Sequence, residues 1–298
     1  MSSETAAAQR AQRAHGAMLL YSFMISTSFP VSKAITPYLD PVVLTLIRFV
    51  LAASLFGVLT FSRERWIWPG PAQLLRYFAI SACMAIFFLT MFEALRWTDA
   101  VSTSALFALV PLVSISVAYL LMRQRTGPRQ FLYLVLGGAG AIWVLFGGSL
   151  EHLLAFRLGK GEMIFAIGCF TYGCYGPLIA RFHRGEPITV MTFWILVLGA
   201  LMLAVVGMPK VLRTDWSAVP AGLWMGIVYL AVFNTAITFF LFKSASVILP
   251  ASKVMGYTYL TTAFVVLLEA MLGHGVPSLS VIAGLVLSLS ATLLLQRT

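Results

Sequence analysis

Residues 41–62 read PVVLTLIRFVLAASLFGVLTFS, a run of 22 positions in which Arg48 is the only charge. At 1.5 Å per residue a helix of that length reaches about 33 Å, enough to cross the roughly 30 Å hydrocarbon core of a bilayer. The run is continuously apolar rather than alternating, which excludes the strand of a membrane barrel. Backbone groups in hydrocarbon must satisfy one another, so a helix is what remains.

The same pattern recurs along the chain. Apolar segments fall at about 16–36, 41–62, 73–96, 99–122, 128–148, 161–181, 188–208, 217–242, 247–272 and 277–296, separated by Pro, Gly or charged clusters. The composition agrees: 298 residues, 60% hydrophobic and 10% charged, with a mean hydropathy of +0.93. A soluble domain carries roughly 25% charged residues. So few charges could not cover a soluble surface, and lipid is the solvent. The expectation is an all-α integral membrane protein with ten transmembrane helices, short loops and no second, soluble domain.

Charge sets the orientation. The chain has 20 Lys and Arg against 10 Asp and Glu. In a membrane protein such an excess collects in cytoplasmic loops, so it does not point to nucleic acid. With a cytoplasmic N-terminus, about twelve basic residues, from Arg10 and Arg13 through Arg65 and Lys243 to Arg297, fall on that side. Five fall on the other: Arg96, Arg157, Lys160, Lys210 and Arg213. Lys33, Arg48 and Lys253 lie at membrane depth. Both termini are therefore expected in the cytoplasm. Arg10 and Arg13 precede a long apolar run with no small-x-small cleavage site, which reads as an uncleaved first span. The tail before it, rich in Ala and Gln, is expected to form a short helix at the cytoplasmic face.

The first and second parts of the chain resemble each other. Gly16-Ala17-Met18 opens the first segment and Gly161-Glu162-Met163 the sixth; Asp40-Pro41 opens the second and Glu186-Pro187 the seventh. A shift of about 145–150 residues superimposes five segments on five. Five is odd, so the second copy enters the membrane the other way up, an inverted repeat of the kind many secondary transporters use around a midplane site. The expected organisation is a cytoplasmic tail at 1–15, a five-helix repeat at 16–148, an extracytoplasmic loop at 149–160 and a second repeat at 161–298.

Asp40-Pro41 followed by Leu46-Ile47-Arg48-Phe49 resembles the start of the second helix in EamA-type members of the drug/metabolite transporter superfamily. Ala94-Leu95-Arg96-Trp97-Thr98-Asp99-Ala100, running on to Val110-Pro111-Leu112, resembles that family's junction of helices three and four. Phe242-Lys243-Ser244-Ala245 to Tyr259-Leu260 is a weaker form of it in the second copy. The chain departs from the family where a Gly-Glu pair usually follows helices four and nine: here stand Met122-Arg123 and Gly273-His274. Thr261 replaces the usual proline of helix nine. Within the family the pattern is most similar to the bacterial aromatic amino acid exporters. The resemblance implies a multi-pass protein of the bacterial inner membrane that exports amino acids, aromatic or large apolar ones, by alternating access through a central cavity.

The residues themselves argue against catalysis. HExxH, GxSxG, P-loop and GxGxxG signatures are missing, so no catalytic residue or cofactor is expected and ATP is not a direct energy source. Cys83, Cys169 and Cys174 all lie in apolar stretches, with neither disulfide nor metal-site spacing. Of the ionisable groups at membrane depth, Lys33, Glu93 and Glu269 sit close enough to helix ends to snorkel. Arg48 is too deep for that; a structural role is favoured, against a carboxylate or helix-end carbonyls. Lys253 has two open readings, a substrate carboxylate or snorkelling. Trp66, Trp68 and Trp216 fit the interfacial aromatic belt.

Polar and aromatic residues within the spans make the candidate site: Ser26 in segment one, Phe107 in four, Tyr172 and Tyr175 in six, Asn234 in eight, and Lys253, Tyr257 and Tyr259 in nine. Helix packing through small residues is the plainer account of any one such cluster. Several at similar depth favour a shared cavity between helices one, three, four, six, eight and nine. Rings with a few hydroxyls and an amide suit a neutral or zwitterionic solute with an apolar side chain. The alternatives are another small metabolite of the same superfamily, phosphorylated or drug-like, and a non-transport membrane protein. The expected partners are a small-molecule substrate and the lipid bilayer, with the chain as a monomer. Reporter fusions or cysteine labelling at both ends should place both termini in the cytoplasm; a periplasmic C-terminus would require an odd number of spans and remove the inverted repeat.

Overall fold

The computed structural model describes residues 3–63, 68–155 and 158–298; Arg65, Trp66 and Arg157 lie outside them. Helices account for nearly all of it, in the order α1 (Ser3–Ile35), α2 (Pro41–Arg63), α3 (Pro71–Ala94), α4 (Ala100–Phe107), α5 (Val110–Met122), α6 (Pro128–Leu145), α7 (Leu150–Ala155), α8 (Lys160–Phe182), α9 (Ile188–Arg213), α10 (Ala221–Ala231), a π-helical turn (Val232–Ile237), α11 (Thr238–Ser246), α12 (Ala251–Gly256), α13 (Thr258–Met271) and α14 (Leu279–Arg297). Proline sets many of the starts. α2, α3 and α6 begin on Pro41, Pro71 and Pro128, and α9, α10 and α12 begin directly after Pro187, Pro220 and Pro250. A first-turn proline lacks only an N–H that would have had no helical partner, and its fixed φ already suits the helix.

Among the described residues, eight helical stretches are long and apolar enough to cross a membrane. The expected segments at 16–36 and 128–148 are helical as α1 and α6 but fall outside that set. α6 is an 18-residue helix whose first turn carries Arg129 and Gln130. α1 carries Ser22, Ser26, Ser28 and Ser32, all fully buried. Its polar face looks into protein rather than lipid, so it needs less apolar surface. The expected short N-terminal helix is corrected too: from Ser3 onward the tail is continuous with α1. The segment at 99–122 is interrupted at Ala108–Leu109, just before Pro111. That at 247–272 is interrupted at Tyr257.

α2 packs on α9 and α6 on α14; α8 lies against α3 and α5, as α1 lies against α11 and α13. The contact of α6 with α14 is backbone-close. A Cβ built on Gly140 would stand 2.5 Å from the carbonyl oxygen of Gly284, and one on Gly284 would stand 2.9 Å from that of Gly140. Ser288 Oγ donates to the carbonyl of Gly137 across the same seam at 2.9 Å. Small residues are what let helix backbones approach within a membrane, where burial of apolar surface gives no drive. Large apolar side chains such as Leu75, Val205 and Leu212 point outward and are largely exposed, as a surface against hydrocarbon requires.

Lys243 corrects the charge count. It was expected on the cytoplasmic side, but α11 continues to Ser246 and the side chain is fully buried. Its ammonium donates to Thr192 Oγ1 at 2.9 Å and lies 5.3 Å from the centre of the Phe239 ring. Removing it from the twelve leaves eleven against five, so the bias keeps its sign. Two outcomes follow. Gly140→Val should lower the melting temperature of the purified protein by forcing α6 from α14, a loss of about 1–3 kcal/mol. Thr192→Val, by leaving the Lys243 ammonium without its hydroxyl, should cost about 1–3 kcal/mol in the same measurement, whereas Lys243→Met should be neutral or stabilising.

Candidate functional site

α1, α3, α4, α8 and α11 converge on a buried aromatic cluster with Tyr172 at its hub. The Tyr172 ring centre is 4.6 Å from that of Phe87, 5.0 Å from Phe107, 5.7 Å from Tyr175 and 6.1 Å from Phe242. Its hydroxyl shares a hydrogen bond with the hydroxyl of Tyr21. Phe29 extends the cluster on the Phe107 side, at 5.9 Å. Tyr175 stacks on Phe242 at 5.5 Å, and its own hydroxyl is buried without a partner. Such ring pairs each add about 0.5–1.5 kcal/mol beyond area burial. The rings therefore fill the space between the helices in this state.

A polar layer adjoins the rings. Arg48 on α2 is fully buried. Its Nη2 donates to Thr235 Oγ1 at 2.9 Å and reaches the carbonyls of Leu230 and Asn234 at 3.4 Å each. Those acceptors belong to the π-helical turn and the residues leading into it. Thr235 Oγ1 itself donates to Leu230 O at 3.0 Å. The partners of Arg48 are thus carbonyls and a hydroxyl rather than a carboxylate. Its guanidinium carbon lies 4.3 Å from the centre of Phe88, and Phe88 stacks on Phe239 at 6.2 Å. Asn234 Nδ2 donates to Thr27 Oγ1 at 3.2 Å, and Asn234 Oδ1 has no partner.

The structure brings together some of the predicted site residues and separates others. Phe107, Tyr172 and Tyr175 share the aromatic cluster, and Asn234 stands in the polar layer. Ser26 is buried on α1 with its hydroxyl donating to Phe23 O at 2.6 Å. Tyr257 and Lys253 lie at one end of the bundle. The Tyr257 hydroxyl meets His15 Nδ1 at 2.9 Å, and Lys253 Nζ donates to Gln296 O at 3.1 Å. Tyr259 stands apart: its hydroxyl donates to Leu134 O at 2.6 Å and its ring fills the space beside Gly137 of α6. Sequence reasoning missed Tyr21, Phe87, Phe239 and Phe242, because a ring in an apolar segment carries no local mark of facing inward.

The other depth charges serve helix ends. Lys33 Nζ donates to the carbonyls of Leu95 and Thr98, both at 2.6 Å, just beyond α3. Glu93 pairs with Arg96 at 3.4 Å, and Glu269 with His274 at 2.6 Å. A cavity of about 550 Å³ between Lys33, Asp99, Glu269 and His274 opens at that end of the bundle. A larger groove of about 920 Å³ runs between α2 and α9, lined by Val50, Gly57, Phe61, Leu201 and Met208. Its walls carry only Ser54 and Ser62 as polar residues. It suits an acyl chain better than a solute that needs hydrogen bonds.

The model of the EamA-like transporter family matches twice, over residues 12–146 and 159–297. An uncharacterized transporter of Bacillus subtilis (strain 168), YyaM, is 22% identical over 275 residues, covering 91% of this chain and 90% of that protein. A solved crystal structure superimposes with a TM-score of 0.73 at 18% identity, covering 97% of this chain and 98% of the other, a likeness of fold alone. With both family matches together spanning nearly the whole sequence, the chain is a multi-pass membrane protein that belongs to the EamA-like transporter family.

Proposed function

We propose that the protein exports amino acids, aromatic or large apolar ones, across the bacterial inner membrane by alternating access. In this reading it has ten spans as two inverted five-helix repeats, 16–148 and 161–298, with 149–160 outside and both termini in the cytoplasm. Three observations support the repeat. The family model matches twice. Pro30 inside α1 and Pro177 inside α8 stand 147 residues apart. The packing is reciprocal, since α8 meets α3 and α5 as α1 meets α11 and α13.

The observation that carries the substrate reading is the ring cluster around Tyr172 beside a polar layer that has unanswered hydrogen-bonding groups. Phe107, Tyr172 and Tyr175 would cover the substrate's side chain in an open state. Ser26 and Asn234 would line the polar end. Tyr257 and Lys253, tied to His15 and Gln296, act as part of the closure at one end. Tyr259 buttresses α13 on α6. A zwitterion leaving water must keep its hydrogen bonds, because unpaired polar groups cost several kcal/mol in a low-dielectric site.

A second reading has its own support. Arg48 and Lys243 are both fully buried, and neither forms an ion pair with a described carboxylate; a carrier of phosphorylated metabolites would use such cations. Proteoliposomes given a panel of labelled amino acids and sugar phosphates separate the two. The expected result is flux of Phe, Trp and Leu well above that of Gly or a sugar phosphate. Downhill flux should persist when the pH gradient is collapsed, since no Asp or Glu stands at mid-helix in the spans. Flux of sugar phosphates alone would replace the amino-acid reading with the second one.

A further inference from the structure

Arg48 and Asn234 present, from neighbouring helices, one unanswered donor group and one unanswered acceptor. On Arg48, Nε and Nη2 are engaged with Thr235 Oγ1, at 3.3 and 2.9 Å, while the fully buried Nη1 has no partner. The ion pairs among the described residues, Glu93–Arg96, Asp40–Lys210 and Glu269–His274, leave this guanidinium out. The ring faces of Phe88 and Phe92, at 4.3 and 5.2 Å, and two carbonyls at 3.4 Å do not neutralise a full charge, and a buried unpaired cation is costly.

The orientation of Asn234 follows from its neighbours. The hydroxyl of Thr27 has one proton, and Met24 O accepts it at 2.7 Å. Thr27 Oγ1 can therefore only accept from its other two contacts, the Tyr229 hydroxyl at 2.7 Å and Asn234 Nδ2 at 3.2 Å. This turns the amide so that Oδ1 is the atom left bare. Asn234 sits in the π-helical turn, and Arg48 Nη2 approaches its backbone carbonyl at 3.4 Å, so the two residues meet at one locus. π-turns inside α-helices recur at functional sites.

An unanswered guanidinium N–H pair calls for an anion, and a bare amide oxygen calls for a cation or N–H donor. An α-amino acid head carries both. We propose that Arg48 Nη1 and Asn234 Oδ1 form the headgroup site of the transporter, the first binding the substrate carboxylate and the second its ammonium. The substrate side chain then runs along the ring series from Phe88 to Phe239, 6.2 Å apart, and on to Tyr175, 6.0 Å further. This rests on the amino-acid reading and assigns it a site and a recognition rule: both charges of the head are required.

The test uses the purified full chain, with affinity and flux measured for L-phenylalanine, L-phenylalanine amide, which lacks the carboxylate, and 3-phenylpropionate, which lacks the ammonium. The wild type should prefer phenylalanine over each analogue by about tenfold or more, as expected when a charge-assisted hydrogen bond is lost. Asn234→Ala should weaken phenylalanine binding about tenfold and abolish its advantage over 3-phenylpropionate, while keeping its advantage over the amide. Arg48→Gln should do the reverse. If Arg48→Gln does not fold, Asn234→Ala alone decides. An Asn234→Ala protein that still discriminates against 3-phenylpropionate as the wild type does overturns the site while the amino-acid reading stands. A wild type that binds and moves no amino acid overturns both.

Discussion

A backbone carbonyl inside a membrane has no water to turn to, and at several points where this chain departs from the regular α-helical ladder a side chain donates to one. At the break between α12 and α13, Ser22 of α1 donates to Tyr257 O at 2.9 Å. Near the end of α4, Thr262 of α13 donates to Ser104 O at 2.8 Å. At the π-turn, Thr235 and Arg48 cover the carbonyl of Leu230. Past the end of α3, Lys33 takes the carbonyls of Leu95 and Thr98. Because the donor is often on another helix, satisfying the backbone also fixes which helices are neighbours.

That coupling explains why α1 is the least lipid-like of the long helices. Ser22 donates to the break between α12 and α13, and Thr27 accepts from the π-turn. A helix built this way has little apolar surface to spare and must lie against protein on several sides, as its packing on α4, α10, α11 and α13 shows. The same irregular points are those that can change. A helix interrupted at Tyr257 or widened at Val232–Ile237 can bend there with the exchange of a few side-chain bonds, whereas an uninterrupted helix would have to break its ladder. Alternating access requires such points near the substrate.

The aromatic cluster and the polar layer divide the chemistry of the interior. Rings at 4.6–6.3 Å centre to centre make a closely filled core around Tyr172, and rings can turn or separate without stranding hydrogen bonds. The polar layer around Arg48 is held by Thr235 and by backbone carbonyls of α10 and the π-turn, so a movement there exchanges hydrogen bonds. In the proposed reading, an adaptable wall of rings beside a wall of directed hydrogen bonds suits solutes that share a headgroup and differ in side chain.

The residues alone determined the membrane, the helices and most of their starts, because exposure to hydrocarbon and the effect of a proline are properties of a local window. Pro41, Pro71 and Pro128 open helices as their positions imply, and PVVLTLIRFVLAASLFGVLTFS is a single helix. Phe107, Tyr172 and Tyr175 share the buried ring cluster, and for the two tyrosines the glycines and hydroxyls that interrupt their apolar run were the local mark. Only the tertiary structure decided which faces look inward. In lipid the inner and outer faces of a helix are both apolar, so the periodicity that marks the buried face of a soluble helix is lost. Tyr259 therefore went to α6 and not to Tyr172, and Lys243 went into the bundle on a helix that runs one turn past its apolar segment. Arg48 met the π-turn 187 positions along the chain, since a contact at that distance depends on how helices rotate and pack against one another.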